Sequence, residues 1–147
     1  SGLFVAVGGD SSGQPLYATS ADGSTWTTPA LMNGSTAFAD MRSVTVNSSG
    51  LFVAVGGGTS TGALIWTSED GASWTSRVDN NTNYRLVSVT KQGSRLIAVS
   101  DGSTQEWISN DDGVTWTLRL GGSYGGVRIA ANTSLFVKII SSIFIFI

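Results

Sequence analysis

Apolar residues in this chain recur with the period of a strand. Arg42-Ser-Val-Thr-Val-Asn47 alternates polar and apolar side chains, and Leu51-Phe-Val-Ala-Val55 is a short continuous apolar run. The first pattern fits a half-covered strand and the second a strand covered on both faces. Asn47-Ser-Ser-Gly50 between them reads as a turn. The flexible Gly56-Gly-Gly-Thr-Ser-Thr-Gly62 then leads to a third strand, Ala63-Leu-Ile-Trp-Thr-Ser68. A tight turn at Glu69-Asp-Gly-Ala72 precedes a fourth strand, Ser73-Trp-Thr-Ser-Arg-Val78. No segment sustains an apolar period of 3.6, so the expected fold is all-β with essentially no helix.

This four-strand unit repeats. Gly2-Leu-Phe-Val-Ala-Val-Gly-Gly9 recurs letter for letter at Gly50 to Gly57, and looser copies begin at Ser94 and Ser134. A second landmark follows each of the first three copies: Ser20-Ala-Asp-Gly-Ser-Thr-Trp26, Ser68-Glu-Asp-Gly-Ala-Ser-Trp74 and Ser109-Asn-Asp-Asp-Gly-Val-Thr-Trp116. Two unrelated landmarks thus keep nearly one spacing. A period of about 40 to 50 residues with four short strands is the signature of β-propeller blades. Blades of four antiparallel strands are expected near 1–40, 41–83 and 84–124, with closing strands at 125–147. The chain enters at a second strand, so its first blade holds three strands, near 3–7, 15–20 and 24–29. A C-terminal first strand, Gly126-Val-Arg-Ile-Ala-Ala131, is expected to complete that trio, and Leu135 to Ile140 has the pattern of a second strand.

Composition narrows the chemistry. Charged residues make up 12% of the 147, about half the roughly 25% usual for soluble domains, so the surface is polar but largely uncharged. A net charge of -2 gives no basic field for phosphates, and nucleic acid is excluded as a partner. The absence of Cys and His removes disulfides, thiol nucleophiles, Ser-His hydrolysis and most transition-metal sites. Asp79 to Asn83 and Asn110 to Gly113 are oxygen-rich, yet neither has the spacing of a calcium loop, so turn chemistry is the preferred reading and no metal or cofactor is expected. The C-terminal apolar run from Ser134 is too short, and too interrupted by Lys138, Ser141 and Ser142, for a membrane helix. Strands needing a cover suit it better.

The three landmark elements resemble the Asp-box, or bacterial neuraminidase repeat, of β-propellers found in sialidases, sortilin-type receptors, photosystem assembly factors and phage structural proteins. Ser109, Asp111, Gly113, Thr115 and Trp116 match the full eight-residue pattern, while Ser20, Asp22, Gly23, Trp26 and Ser68, Asp70, Gly71, Trp74 form a version shortened by one residue. In physical terms the carboxylate accepts bonds from following amides, Gly permits a positive φ, the Ser hydroxyl closes the loop and Trp anchors the hairpin between blades. The sialidase likeness also implies three arginines on the substrate carboxylate, a Tyr-Glu nucleophile pair and an acid Asp. No arginine here opens an Arg-Ile-Pro motif, and Glu69 and Glu106 are the only glutamates. Nor does the spacing of Asp40, Asp79, Asp101 or Glu106 single out a carboxylate pair. The chain is therefore read as a non-enzyme.

Trp66 and Trp107 hold equivalent third-strand positions. They are candidate sugar-stacking residues, although core packing is the commoner role for a strand aromatic. The sequons at Asn33, Asn47, Asn80 and Asn132 follow from a Ser- and Thr-rich composition. About three blades are fewer than the four to eight that close a ring. The chain is thus expected to be either part of a longer polypeptide or one of several copies that share a ring; its partners are other protein chains, copies of this one or the rest of a larger assembly, with the apolar tail buried against another chain or the ring. The leading expectation is an extracellular or virion-surface module, such as a phage tail-fibre protein. A lectin-like propeller binding surface glycans, a fragment of a sialidase-like hydrolase and a membrane-complex assembly factor stand as alternatives.

Overall fold

The computed structural model describes residues 2–34, 38–58, 60–80, 84–101, 104–120, 126–132 and 136–140. Thirteen strands appear among them: β1 (Phe4–Gly9), β2 (Pro15–Ser20), β3 (Ala30–Leu31), β4 (Asp40–Val46), β5 (Phe52–Gly58), β6 (Gly62–Ser68), β7 (Thr75–Asn80), β8 (Leu86–Gln92), β9 (Arg95–Ser100), β10 (Gln105–Ser109), β11 (Thr117–Leu120), β12 (Gly126–Ala131) and β13 (Phe136–Ile140). They form four antiparallel sheets whose strand order follows the chain: β1 to β3, β4 to β7, β8 to β11 and the pair β12–β13. A short 3₁₀ turn at Met32–Gly34 lies between the first two sheets.

Three apolar layers hold the sheets together. Val5, Val7 and Tyr17 of the first sheet pack on Met41, Ala54, Leu64, Trp66 and Trp74 of the second. Val53, Val55 and Ile65, on the other side of the second sheet, pack on Leu96, Ala98 and Trp107 of the third. Ile97 and Val99 then meet Ile129 of β12. The apolar strands β5 and β9 therefore each serve two layers at once, because successive side chains point to opposite faces. The continuous run Phe52-Val-Ala-Val55 is what such double coverage requires.

The first strands of the last three sheets share an irregularity. Register shifts fall between Met41 and Ser43, between Leu86 and Ser88, and between Gly126 and Arg128. A bulge at the same place in each first strand adds local twist at one repeated point along the stack.

Two expectations need correction. The strand placed at 24–29 does not form; the first sheet's last strand is the two-residue β3, pairing Leu31 with Leu16 and Ala30 with Tyr17. Pro29 lies where the ladder would run and has no N–H to donate. Thr27 keeps the pairing there: its N–H donates to the Thr19 carbonyl, and its hydroxyl accepts from the Thr19 N–H. The second correction concerns closure. β12 does not join β1 but pairs with β13, in a separate sheet stacked on β8 and β9. The two strands are near neighbours in sequence, so their pairing closes a short loop, whereas joining β1 would close almost the whole chain. Among the described residues the outer edge of β1 is consequently unpaired. The tail beyond Ile140 lies outside the described residues.

Candidate functional site

The three Ser-Asp-Gly-Trp turns carry the densest polar chemistry among the described residues. In the first, Ser20 Oγ donates to Asp22 Oδ1 at 3.0 Å and accepts the Gly23 N–H at 2.8 Å. Asp22 Oδ1 also accepts the Ser24 and Thr25 N–H groups, both at 2.7 Å. The second turn repeats this. Ser68 Oγ donates to Asp70 at 3.0 Å and accepts from Gly71, and Asp70 accepts from the amides of Ala72 at 2.8 Å and Ser73 at 2.6 Å and from the Ser73 hydroxyl. In the third, Ser109 Oγ donates to Asp111 and accepts from Gly113, while Asp111 accepts from both the amide and the hydroxyl of Thr115. The extra residue of this turn, Asp112, takes φ 59°. Gly23, Gly71 and Gly113 have φ of 75°, 74° and 91°, a region that favours glycine.

These bonds set the electrostatics. The Thr25 and Ser24 amides and the Ser20 hydroxyl lower Asp22 from 3.8 to about 2. The hydroxyl and amide of Thr115, with Ser109, likewise lower Asp111 to about 2. The Ser73 and Ala72 amides and the Ser73 and Ser68 hydroxyls lower Asp70 further still. Each carboxylate is stabilised as an anion by donors of its own turn. A group held this way is a poor general acid at neutral pH, and its lone pairs are already engaged.

The tryptophans of the turns differ in burial. Trp74 is 3% exposed and packs against Tyr17 of the preceding sheet, with ring centroids 6.3 Å apart. Trp116 is half-buried against the core layer between the second and third sheets. Trp26 is 42% exposed. The Trp26 and Trp116 indole nitrogens donate to the carbonyls of Gly23 and Gly113 at 3.2 and 3.0 Å. The Trp74 nitrogen is buried without such a bond. Its backbone is held instead by the Asn33 carboxamide, which accepts from the Trp74 N–H at 3.0 Å and donates to its carbonyl.

Trp66 and Trp107 are 8% and 7% exposed, within the layers that join consecutive sheets. These candidate sugar-stacking residues thus lie in the core, where their rings pack against the neighbouring sheet. Asn33 and Asn47 escaped sequence reasoning as structural residues. Asn47 is buried; its carbonyl oxygen accepts from the Ser49 and Leu51 amides, and its Nδ2 donates across to the Asp112 carbonyl of the next sheet at 2.7 Å. Ser48 adds a bond to the Gly93 carbonyl. The Asx-turn spacing of Asn47-Ser-Ser-Gly50 signals the local bonds, but nothing local signals the partner 65 residues away.

Two ion pairs lie elsewhere among the described residues. Asp40 meets Arg42 at 3.3 Å, and Asp101 meets Arg85 at 2.7 Å. Both arginines line a hollow of about 190 Å³ with Asp40, Gly57 and Gly58. Arg77 donates to Thr67, and the Arg95 guanidinium lies over the Phe136 ring. Among the described residues no group of three His, Cys, Asp or Glu side chains could hold a metal ion, and no helix is long and apolar enough to cross a membrane.

Against known protein families, the model described as the DUF6242 beta propeller domain matches residues 3–123. No curated protein matches the chain.

Proposed function

This chain belongs to the DUF6242 beta propeller domain family, and from that premise we propose that it is a non-enzymatic structural and binding module of an extracellular particle or surface, of the phage tail-fibre or virion-surface type, acting through protein contacts. Its Ser-Asp-Gly-Trp turns are Asp-box elements in this reading.

One observation carries it. Asp22, Asp70 and Asp111, whose proton affinities are shifted most clearly, are engaged by amides and hydroxyls of their own turns. Strong shifts often mark catalytic groups, but structural bond networks produce them as well. Here the donors are two to four residues away in sequence, and all three turns repeat the arrangement. A feature repeated in every blade suits a scaffold, whereas an active site is built once. The burial of Trp66 and Trp107 weighs against the lectin-like alternative, and the ion pairing of Arg42 and Arg85 weighs against a carboxylate grip of the sialidase kind.

The test is to locate the protein. Mass spectrometry and immunogold labelling of particles purified from the source should find it assembled on their surface. Recovery only from the soluble interior of cells would overturn the reading. Incubation with a fluorogenic sialoside should give no turnover above the blank, and turnover that tracks the purified protein would reinstate the enzyme.

A further inference from the structure

Asn33-Gly34 is the only Asn-Gly pair in the chain, and its asparagine is structurally committed. Asn33 lies in the 3₁₀ turn Met32–Gly34, where the chain leaves the first sheet for the second, and takes φ 47° and ψ 30°. Asn and Asp tolerate this left-handed conformation better than other non-glycine residues. The carboxamide reaches across 41 positions to the backbone of Trp74: Oδ1 accepts the Trp74 N–H at 3.0 Å, and Nδ2 donates to the Trp74 carbonyl. Met32, next to it, is fully buried in the apolar layer that also holds Trp74. One side chain thus clips the linker to the layer it crosses.

The second turn relies on this clip in a way the other two do not. Trp26 and Trp116 donate through their indole nitrogens to the Gly23 and Gly113 carbonyls, but the Trp74 nitrogen is buried without a partner. The most buried of the three turn tryptophans therefore lacks the tie made within the turn and has the Asn33 clip instead.

An Asn-Gly pair is also where a peptide chain deamidates most readily. Glycine has no Cβ to shield its amide, so the deprotonated Gly34 nitrogen can attack the Asn33 Cγ carbon. A bond forms between the Gly34 nitrogen and Cγ, the Cγ–Nδ2 bond breaks, and Nδ2 takes a proton from solvent and leaves as ammonia. Water then opens the five-membered imide at one of its two carbonyls, giving Asp or isoaspartate at position 33. Residue 33 is exposed, so the water this step consumes is at hand.

We propose that Asn33 is a modification site of this protein: a spontaneous deamidation site held in check by its own clip, whose reaction releases the Trp74 hairpin from the linker between the first two sheets. While closed, the clip holds the carboxamide at both ends and keeps Cγ from turning toward the Gly34 nitrogen. Reaction proceeds from the opened clip, so its rate follows how often this local contact opens. Afterwards the clip does not re-form. The Nδ2 donor has become a carboxylate oxygen, which can only accept, and it faces the Trp74 carbonyl, which also only accepts. The carbonyl loses its donor and meets a negative charge. Asp keeps the backbone tolerance of Asn, so the damage comes from the charge and the lost donor, with the turn conformation still accessible. This chemistry needs no partner and holds wherever the protein acts.

The intact chain, incubated in mildly alkaline buffer with and without urea, is mapped by mass spectrometry for the mass gain of deamidation at each Asn. In urea the gain should appear first at position 33, and in the folded chain it should be slower there by about tenfold or more. Gly34→Ala, which crowds the attacking nitrogen, should suppress the reaction in urea. The deamidated fraction, separated by its added negative charge, should exchange the Trp74 amide hydrogen faster and unfold at a lower urea concentration. Asn33→Asp should reproduce both changes, and acid that protonates its carboxyl, restoring a donor, should narrow its gap from the unmodified chain. If Asn33→Asp does not fold, the aged unmodified chain supplies the same comparison. Equal rates with and without urea overturn the proposal, as does a deamidated chain whose Trp74 exchange and urea midpoint are unchanged.

Discussion

Asp22, Asp70 and Asp111 bind protons less readily in the folded chain than in the unfolded one. Acidification therefore favours unfolding, because the unfolded state takes up more protons. The sign follows: their contribution is complete above the ordinary carboxylate value of 3.8 and is lost as pH falls from about 4 through about 2. Urea midpoints should be flat toward neutrality and decline through that acid window. Asp70→Asn, which cannot carry the charge, should lower the midpoint at neutral pH and make the acid decline shallower; an unchanged decline would show that other groups govern it. The tryptophans give a second residue-scale contrast. Trp74→Ala empties a buried position between two sheets and should cost about 3 to 5 kcal/mol in equilibrium unfolding, whereas Trp26→Ala in the monomer should cost less than about 1. Asn47→Ala strands the Ser49 and Leu51 amides and the Asp112 carbonyl, and should cost about 1 to 3 kcal/mol.

Among the elements, the hairpins leading into the fourth strands are where local sequence rules most completely. Ser, Asp and Gly at fixed offsets close each turn with bonds that reach no further than four residues, so the turns were legible letter by letter. The fourth strands themselves were less so. Thr75–Asn80 and Thr117–Leu120 pair along the third strand, but the equivalent stretch of the first sheet is broken by Pro29 and reduced to Ala30–Leu31. Apolar and polar alternation could not reveal this, since the loss is of a backbone donor. Packing between elements makes its own demand at Gly71. Its φ is 74°, and a Cβ added there would lie 2.8 Å from Val5 Cγ2, which leaves no room for Ala. Gly71→Ala should therefore lower the melting temperature, and Gly50→Ala should lower it less, because Gly50 shares the positive φ (91°) but faces open space. Equal losses would assign the whole effect to backbone strain.

At the scale of the whole molecule, four sheets are joined by three apolar layers of one polarity, and the ends of the series differ from its middle. The sequence alone determined the all-β class, the repeat, most strand positions and the turns, because these depend on a two-residue period and on hydrogen bonds between near neighbours. Tertiary structure decided what lies across each sheet face. It placed Trp66 and Trp107 in the core, used the Asn33 and Asn47 carboxamides to tie one sheet to the next, and paired β12 with β13 instead of β1. The duplicated octapeptide isolates the reason. Gly2–Gly9 and Gly50–Gly57 have one sequence and each forms a strand, yet Ala6 is exposed and Ala54 is fully buried. A strand's own residues set which side chains share a face, and only the neighbouring sheet sets whether that face meets protein or water.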